Sequence, residues 1–536
     1  MSEPGSAMLP AMPTTRLALT AGDRRPLAVV IAHGGRRGGA VRSARLLLLL
    51  AAAPAWLACG PGPRAPTRLD SAAPAAPSSE LLPAALVAER VRSFSSDNWY
   101  GFYLQDKKVG HAHIVLRPTV AGEPGGYHVG MDVVIRSSSP GEEVEVAQTL
   151  AQYYEGAPPY RLLERRARET SADGTSDQIT VASADRVVVR ASVDGEPATE
   201  RAYPPTAETV LATLAALALE PAALRPGQRD VLLTFDGDAG RDQSLTVEVL
   251  EVRDEVLAGV KTRVATLSQL DEGDTQAATI KVASGGVTLL ASLGPGAVLR
   301  LEETQVAQSG VEGFSMLGDA VPVDRPLGDP TALRELTLVV GVAPGFVIPD
   351  GPQQTVTPRP DGRFDVVAHS GPAAPATAAE RAAALRPTAE LDADAPAIVA
   401  LTAQITAGAT TDRDKADRLV DWVYTNLDKS LSTNLSTASQ VLARKVGDCT
   451  EHSLLLVALA RAAGLPAREA SGLMYMGDEV QRFGWHAWAQ VVLDGRWVAI
   501  DGAWGEHVAD AAHLLLAVDG DAGWVATMGA ITISAP

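Results

Sequence analysis

Between residue 90 and about residue 320, apolar positions recur at every second residue in short runs. This is the period of a strand with one buried face. Runs at 100–104, 109–115, 129–136, 187–193, 230–235, 244–252, 279–282 and 298–303 alternate in this way, parted by turn residues such as Asp194-Gly195 and Ser284-Gly285-Gly286. The first two runs, joined through 105–108, predict a hairpin. One helical stretch interrupts the series at about 206–219, with Thr206 as its cap and Pro221 beyond its end. The pattern predicts a large antiparallel sheet curved around that helix. Further strands are expected at 335–342 and 364–368.

Downstream of a Pro/Ala-rich stretch the period changes from two to that of a helix. Thr411 and Asp414 predict a capping box, opening a helix with Leu419, Val420, Val423 and Leu427 on one face. A second helix is expected at 437–445, stopping at Gly447. A third, 449–463, is apolar nearly all round and ends at Gly464-Leu465-Pro466, so it belongs at the centre of its domain. Residues 483–493 and 496–501 then read as paired strands around a two-residue Asp494-Gly495 turn. The fold class is therefore α+β. A β-rich domain at 90–325 is followed by a small β segment at 326–370, a linker at 371–393 and a C-terminal domain at 394–536, in which a buried helix packs on an antiparallel sheet.

The N-terminus follows a different pattern. Arg42 and Arg45 precede a short apolar run, Leu46 to Ala53, and then Leu57-Ala58-Cys59. A basic region, an apolar core and small residues before a break make a secretory leader at 41–58, too short to span a membrane. Residues 1–40 fit no part of such a leader and read as a non-structural or untranslated extension, with Val41 as an alternative start. Leu57-Ala58-Cys59 resembles the bacterial lipoprotein cleavage motif, with Trp56 where a Leu is usual. That resemblance implies lipidation of Cys59, a flexible tether over 59–89 and a place in the cell envelope facing the periplasm, with Gly60 favouring the outer membrane. An ordinary leader with a chance cysteine is the alternative. The chain of 536 residues has a formal net charge of −18, and removing the leader's basic excess makes the remainder more acidic still. Such a balance argues against binding a nucleic-acid backbone.

The second of the two cysteines carries the chemistry. Cys449 opens the apolar helix, where free N–H groups and the helix dipole favour a thiolate. Asp448 and Glu451 oppose this by their charge, so an imidazole is needed. A two-residue turn sets Leu493 opposite Arg496 and, counting outward, Trp488 opposite Asp501. His486 then lies on the same face as Asp501, diagonally across, at about 7–8 Å between backbones. An Asp501–imidazole hydrogen bond is within reach at that spacing. Gly447-Asp-Cys-Thr-Glu-His452, Gly464-Leu-Pro-Ala-Arg468, His486-Ala-Trp488 and Gly495-Arg-Trp-Val-Ala-Ile-Asp501 resemble the bacterial transglutaminase-like, papain-related superfamily over about 395–515. The resemblance implies Cys449 as nucleophile, His486 as base and then acid, and Asp501 as the group orienting the imidazole. It implies acyl transfer through a thioester on a protein or peptide substrate, with hydrolysis favoured over transamidation. Ala489 and Gly502-Ala503 depart from the residues common in that family.

Other readings remain. A catalytically inactive lipoprotein scaffold, binding through its β-rich domain, is the rival function. His452 reads as a packing or cleft-lining residue, and Trp485, Trp488, Trp497 and Trp504 as hairpin core more than substrate platform. His111, His113 and His128 read as strand histidines, and a metal hydrolase built on His452, His486 and His507 lacks a recognisable ligand spacing. No cofactor and no metal is expected.

Overall fold

The alternating runs form strands because each can turn one face to a shared core. The structure is a computed structural model and describes residues 79–536 except 105, 140–141, 172–173, 196–198, 238–239, 273–276, 293–296, 314–319, 343–345, 352, 372–373, 389, 430–436 and 520–529. Cys59, the leader at 41–58 and the start of the tether lie outside the described residues. The last part of the interval read as tether is folded. Asp230 accepts the Glu80 and Leu81 N–H groups, and the helix Ala84–Ser93 buries Val87 and Val91 in the sheet's core.

Fourteen strands make one antiparallel sheet. From Thr199–Tyr203 it runs back through successive neighbours to Ser96–Leu104, crosses to Ala297–Glu302, and continues to Arg229–Asp236. Its two edge strands approach one another, with the rings of Tyr203 and Phe235 6.1 Å apart. The sheet is therefore strongly curved. It wraps the helix Val210–Leu217, whose Val210 to Ala216 are all buried against strand residues such as Phe102, Tyr127 and Leu245. The helix starts later than the sequence suggested, and Thr209, not Thr206, caps it. Thr206 is drawn away by Asp242, which takes its hydroxyl and the Ala207 N–H. Strands absent from the sequence reading include Glu142–Tyr154, Leu162–Ser171, Gly174–Ala182 and Val260–Asp271. Leu162–Ser171 shows why: even its inner face carries Arg165, which is buried in a two-point ion pair with Glu208 at 2.8 Å.

In the C-terminal part the helix Cys449–Ala462 is the centre. All of Glu451 to Arg461 is buried, between the helices Asp412–Asn426 and Ala438–Arg444 and the sheet strands. That sheet runs in the order Val321–Pro322, Arg482–Leu493, Ala467–Tyr475, His513–Val518, with Arg496–Ile500 also on Arg482–Leu493. The Asp494-Gly495 turn has both φ angles positive, at 51° and 75°, as a type I′ turn requires. Leu493 faces Arg496 and Ala489 faces Ile500, the register that the turn predicts.

Two short strands cross the boundaries drawn from sequence. Val321–Pro322, from the interval assigned to the β-rich domain, pairs with Phe483 and Arg482. Thr532–Ser534, near the C-terminus, joins Glu335–Gly341 in a four-stranded sheet with Phe364–His369 and Gln354–Pro358. The stretch read as a linker is also held in place. Its Ala376 N–H donates to Gly495 at 2.9 Å, and Ala376 and Ala384 pack on Val492 and Trp497. Trp485 touches the core of the large sheet and that of the small one, so hairpin and β-rich region share an interface.

Candidate active site

Cys449 is the first residue of its helix, and its surroundings are set by the residues on either side. Gly447 approaches the helix so closely that a Cβ there would lie 2.1 Å from the Cβ of Glu451. Asp448 caps the helix, taking the Thr450 N–H at 2.7 Å, while Glu451 returns a carboxylate to the Asp448 N–H at 2.9 Å. The Cys449 residue keeps partial exposure, but burial, followed by the charge of Asp448, pushes its thiol well up. The Ala487 N–H donates to the sulfur and pulls the other way. One turn along, the Ser453 hydroxyl donates to the Trp488 carbonyl at 2.8 Å. These two contacts fix the start of the helix against the strand that carries His486.

His486 and Asp501 meet as the hairpin register requires. The imidazole Nε2 lies 2.6 Å from Asp501 Oδ2, and both side chains are almost wholly buried. With Nε2 engaged, Nδ1 is the ring nitrogen left for proton exchange. Asp501 Oδ1 accepts the Ala503 and Trp504 N–H groups at 2.7 and 3.1 Å. Burial alone would raise the Asp501 carboxyl, but His486, with help from His513, holds it well below the usual carboxylate range. The ring of Trp488 stacks near His486, with centroids 6.1 Å apart.

His513 is a site residue that sequence reasoning missed. Its Nε2 lies 3.3 Å from the same Asp501 oxygen, and its Nδ1 lies 3.1 Å from Asp510 Oδ1. Both nitrogens face acceptors, so both donate, and the ring is an imidazolium. Burial disfavours that charge, yet Asp501 and Asp510 outweigh it and push the pKa up to about 10. Beside it, burial raises Glu506 to about 7. The available signal was a single His in the apolar run 511–517, where a buried polar ring must find partners.

His452 is fully buried, with Nδ1 2.7 Å from the Asp448 carbonyl and burial lowering its pKa. His507 instead pairs with Asp421 at 2.8 Å, away from His486, so the triple His452, His486 and His507 does not assemble. Metal-like spacing among the described residues falls on His486, Asp501 and His513, and on Glu506, Asp510 and His513. His113 pairs with Asp97 and stacks on Trp99, while His128 faces Arg117 on the neighbouring strand, so His111, His113 and His128 do not converge. Trp488 and Trp497 are core residues. Trp504 is not, and its ring lies 4.8 Å from the Lys429 ammonium.

Residues 399–502, which include Cys449, His486 and Asp501, match the model of the Transglutaminase-like superfamily. The chain thus carries a transglutaminase-like domain on its C-terminal side. No curated protein matches the chain. Among solved structures, a protein of Cytophaga hutchinsonii, provisionally described as a cysteine protease, is similar at 17% identity, covering 38% of this chain and 83% of that one at a TM-score of 0.27. The periplasmic domain of TgpA from Pseudomonas aeruginosa is similar at 14% identity, covering 32% and 91% at a TM-score of 0.21. A protein of Parabacteroides distasonis, provisionally described as a protease, is similar at 12% identity, covering 63% of each chain at a TM-score of 0.17. These overlaps are partial and bear on neither activity nor location. No helix among the described residues is long and apolar enough to cross a membrane.

Proposed function

We propose that this protein is a cysteine-nucleophile acyl-transfer enzyme, acting on peptide or amide bonds through a thioester at Cys449. The observation that carries the reading is the 2.6 Å His486–Asp501 contact on the strand whose Ala487 N–H meets the Cys449 sulfur. With Asp501 holding Nε2, the Nδ1 of His486 takes the thiol proton as sulfur attacks the carbonyl carbon. The same proton passes to the leaving amine as the C–N bond breaks, leaving the acyl group on sulfur. Water as second substrate completes hydrolysis, and an amine completes transamidation. The Asp448 carboxylate caps the Thr450 and Glu451 N–H groups, which leaves the Cys449 N–H as a donor for the oxyanion. Asp501 stays ionised throughout, since two histidines hold its carboxyl down. The proposal extends to location: a lipid on Cys59 tethers the enzyme to the envelope, facing the periplasm.

The test is acylation by an activated ester, p-nitrophenyl acetate. The expected result is a burst of about one nitrophenolate per chain, with the acetyl group mapped to Cys449 and removable by hydroxylamine. The burst disappears in Cys449→Ser. A burst that survives this substitution contradicts the assignment. No burst at all, with the fold intact, favours the rival reading of an inactive scaffold.

A further inference from the structure

Near the start of the Cys449 helix stands a cation that the acyl-transfer chemistry does not use. Lys429 lies in a short strand, Asp428–Lys429, paired in parallel with Val446–Gly447, so its backbone faces Gly447, two residues before the nucleophile. Its ammonium is 4.8 Å from the ring centre of Trp504 and 5.4 Å from that of Tyr424. Trp504 follows Asp501 by three residues, and its N–H donates to the Asp501 carboxylate. Lys429 is thus placed beside both the strand that precedes Cys449 and the turn that follows Asp501; burial lowers its pKa, Asp501 opposes this, and its charge also acts on His452.

The local acids are already engaged. Asp448 and Glu451 close the capping box, Asp501 receives two histidines and two backbone N–H groups, and Asp421 pairs with His507. Among the described residues, no carboxylate lies within ion-pair distance of Lys429. Two aromatic faces hold an ammonium in position without neutralising it. A positive charge fixed in this way near a nucleophile attracts an anion carried by the ligand.

We propose that Lys429 is the specificity residue of the Cys449 site and binds a carboxylate on the acyl donor, close to the carbonyl that Cys449 attacks. The inference rests on the reading of Cys449 as nucleophile. The substrate class it defines is a peptide or amide with an acidic side chain, or a free C-terminal carboxylate, next to the reacting bond.

Cysteine-directed reagents test this without knowledge of the natural substrate. In the full chain carrying Cys59→Ala, Cys449 is alkylated by two matched pairs. Bromoacetyl-glycine and its amide present or remove a terminal carboxylate. Bromoacetyl-glutamic acid amide and bromoacetyl-glutamine amide do the same for a side chain. In each reaction the sulfur displaces bromide, so the acid-to-amide rate ratio cancels any change in thiol reactivity. The expected result is that Lys429→Gln lowers this ratio roughly two- to fivefold in at least one pair, the range of an exposed ion pair, while Lys429→Arg keeps it. The pair affected identifies the source of the carboxylate. The rates of the neutral amides, measured beside those of the unsubstituted protein, report whether the Cys449 site is intact. Ratios unchanged by Lys429→Gln in both pairs overturn the proposal, while leaving Cys449 as nucleophile. If Cys449 reacts with all four reagents no faster than an ordinary thiol, the acyl-transfer reading falls, and this proposal falls with it.

Discussion

At the scale of single residues, the candidate site is a contest between burial and charge. Cys449 is held in the thiol form by burial and by Asp448, which makes its activation depend on His486. Asp501 is kept ionised by two imidazoles, one of which, His513, is itself held as a cation by Asp501 and Asp510. That cation makes stability pH-dependent. A His whose pKa rises on folding, here from 6.5 to about 10, stabilises the folded state fully below pH 6.5, and the contribution is lost as pH climbs through about 10. The melting temperature should therefore fall between pH 7 and 10. His513→Gln should melt lower at pH 7, because Asp501 and Asp510 lose a shared counter-charge, and should fall less steeply from there to pH 10 than the unsubstituted protein. Parallel melting curves for the two proteins across that range would contradict the assignment of an imidazolium. The His486–Asp501 contact and the place of Cys449 at a helix start were legible in the sequence, because a two-residue turn fixes the hairpin register and the apolar helix has a marked beginning. His513 and Lys429 were not, because each reaches the site from a strand placed by tertiary pairing.

At the scale of elements, patterning succeeded at Tyr127–Ser139, whose inner face is apolar, and failed at Leu162–Ser171, whose inner face carries a charge. Val129, Met131, Val133 and Ile135 of Tyr127–Ser139 all face the core, and the sequence shows that strand directly. Leu162–Ser171 hides its role because Arg165 is buried only by virtue of Glu208, which lies 43 positions away in sequence. The helix Cys449–Ala462 was the most legible element, since an all-round apolar helix has to be central. Its packing is correspondingly sensitive. Leu456 is fully buried there, so Leu456→Ala should cost about 2–5 kcal/mol, read as a lowered denaturation midpoint. A cost below about 1 kcal/mol would mean that the helix is not the centre of this domain.

At the scale of the whole molecule, the sequence divided what the structure joins. Val321–Pro322 and Thr532–Ser534 cross the boundaries that composition suggested, because two- and three-residue strands carry no period of their own. Trp485, read as hairpin core, is instead shared with the large sheet. Location also belongs to this scale. Replacing Cys59 by Ala should move the protein from the membrane to the soluble fraction of the envelope and abolish incorporation of labelled fatty acid. Continued labelling would place the lipid elsewhere. Whether the assembled molecule is an enzyme or a scaffold turns on one property, the activation of Cys449 by His486. The most direct measurement is the rate of Cys449 alkylation by iodoacetamide against pH, in the full chain carrying Cys59→Ala, with and without His486→Ala. Loss of a positioned base predicts a fall of roughly 10²-fold or more near neutral pH, with the two proteins converging at high pH, where thiolate forms unaided. Equal rates at every pH would contradict the account.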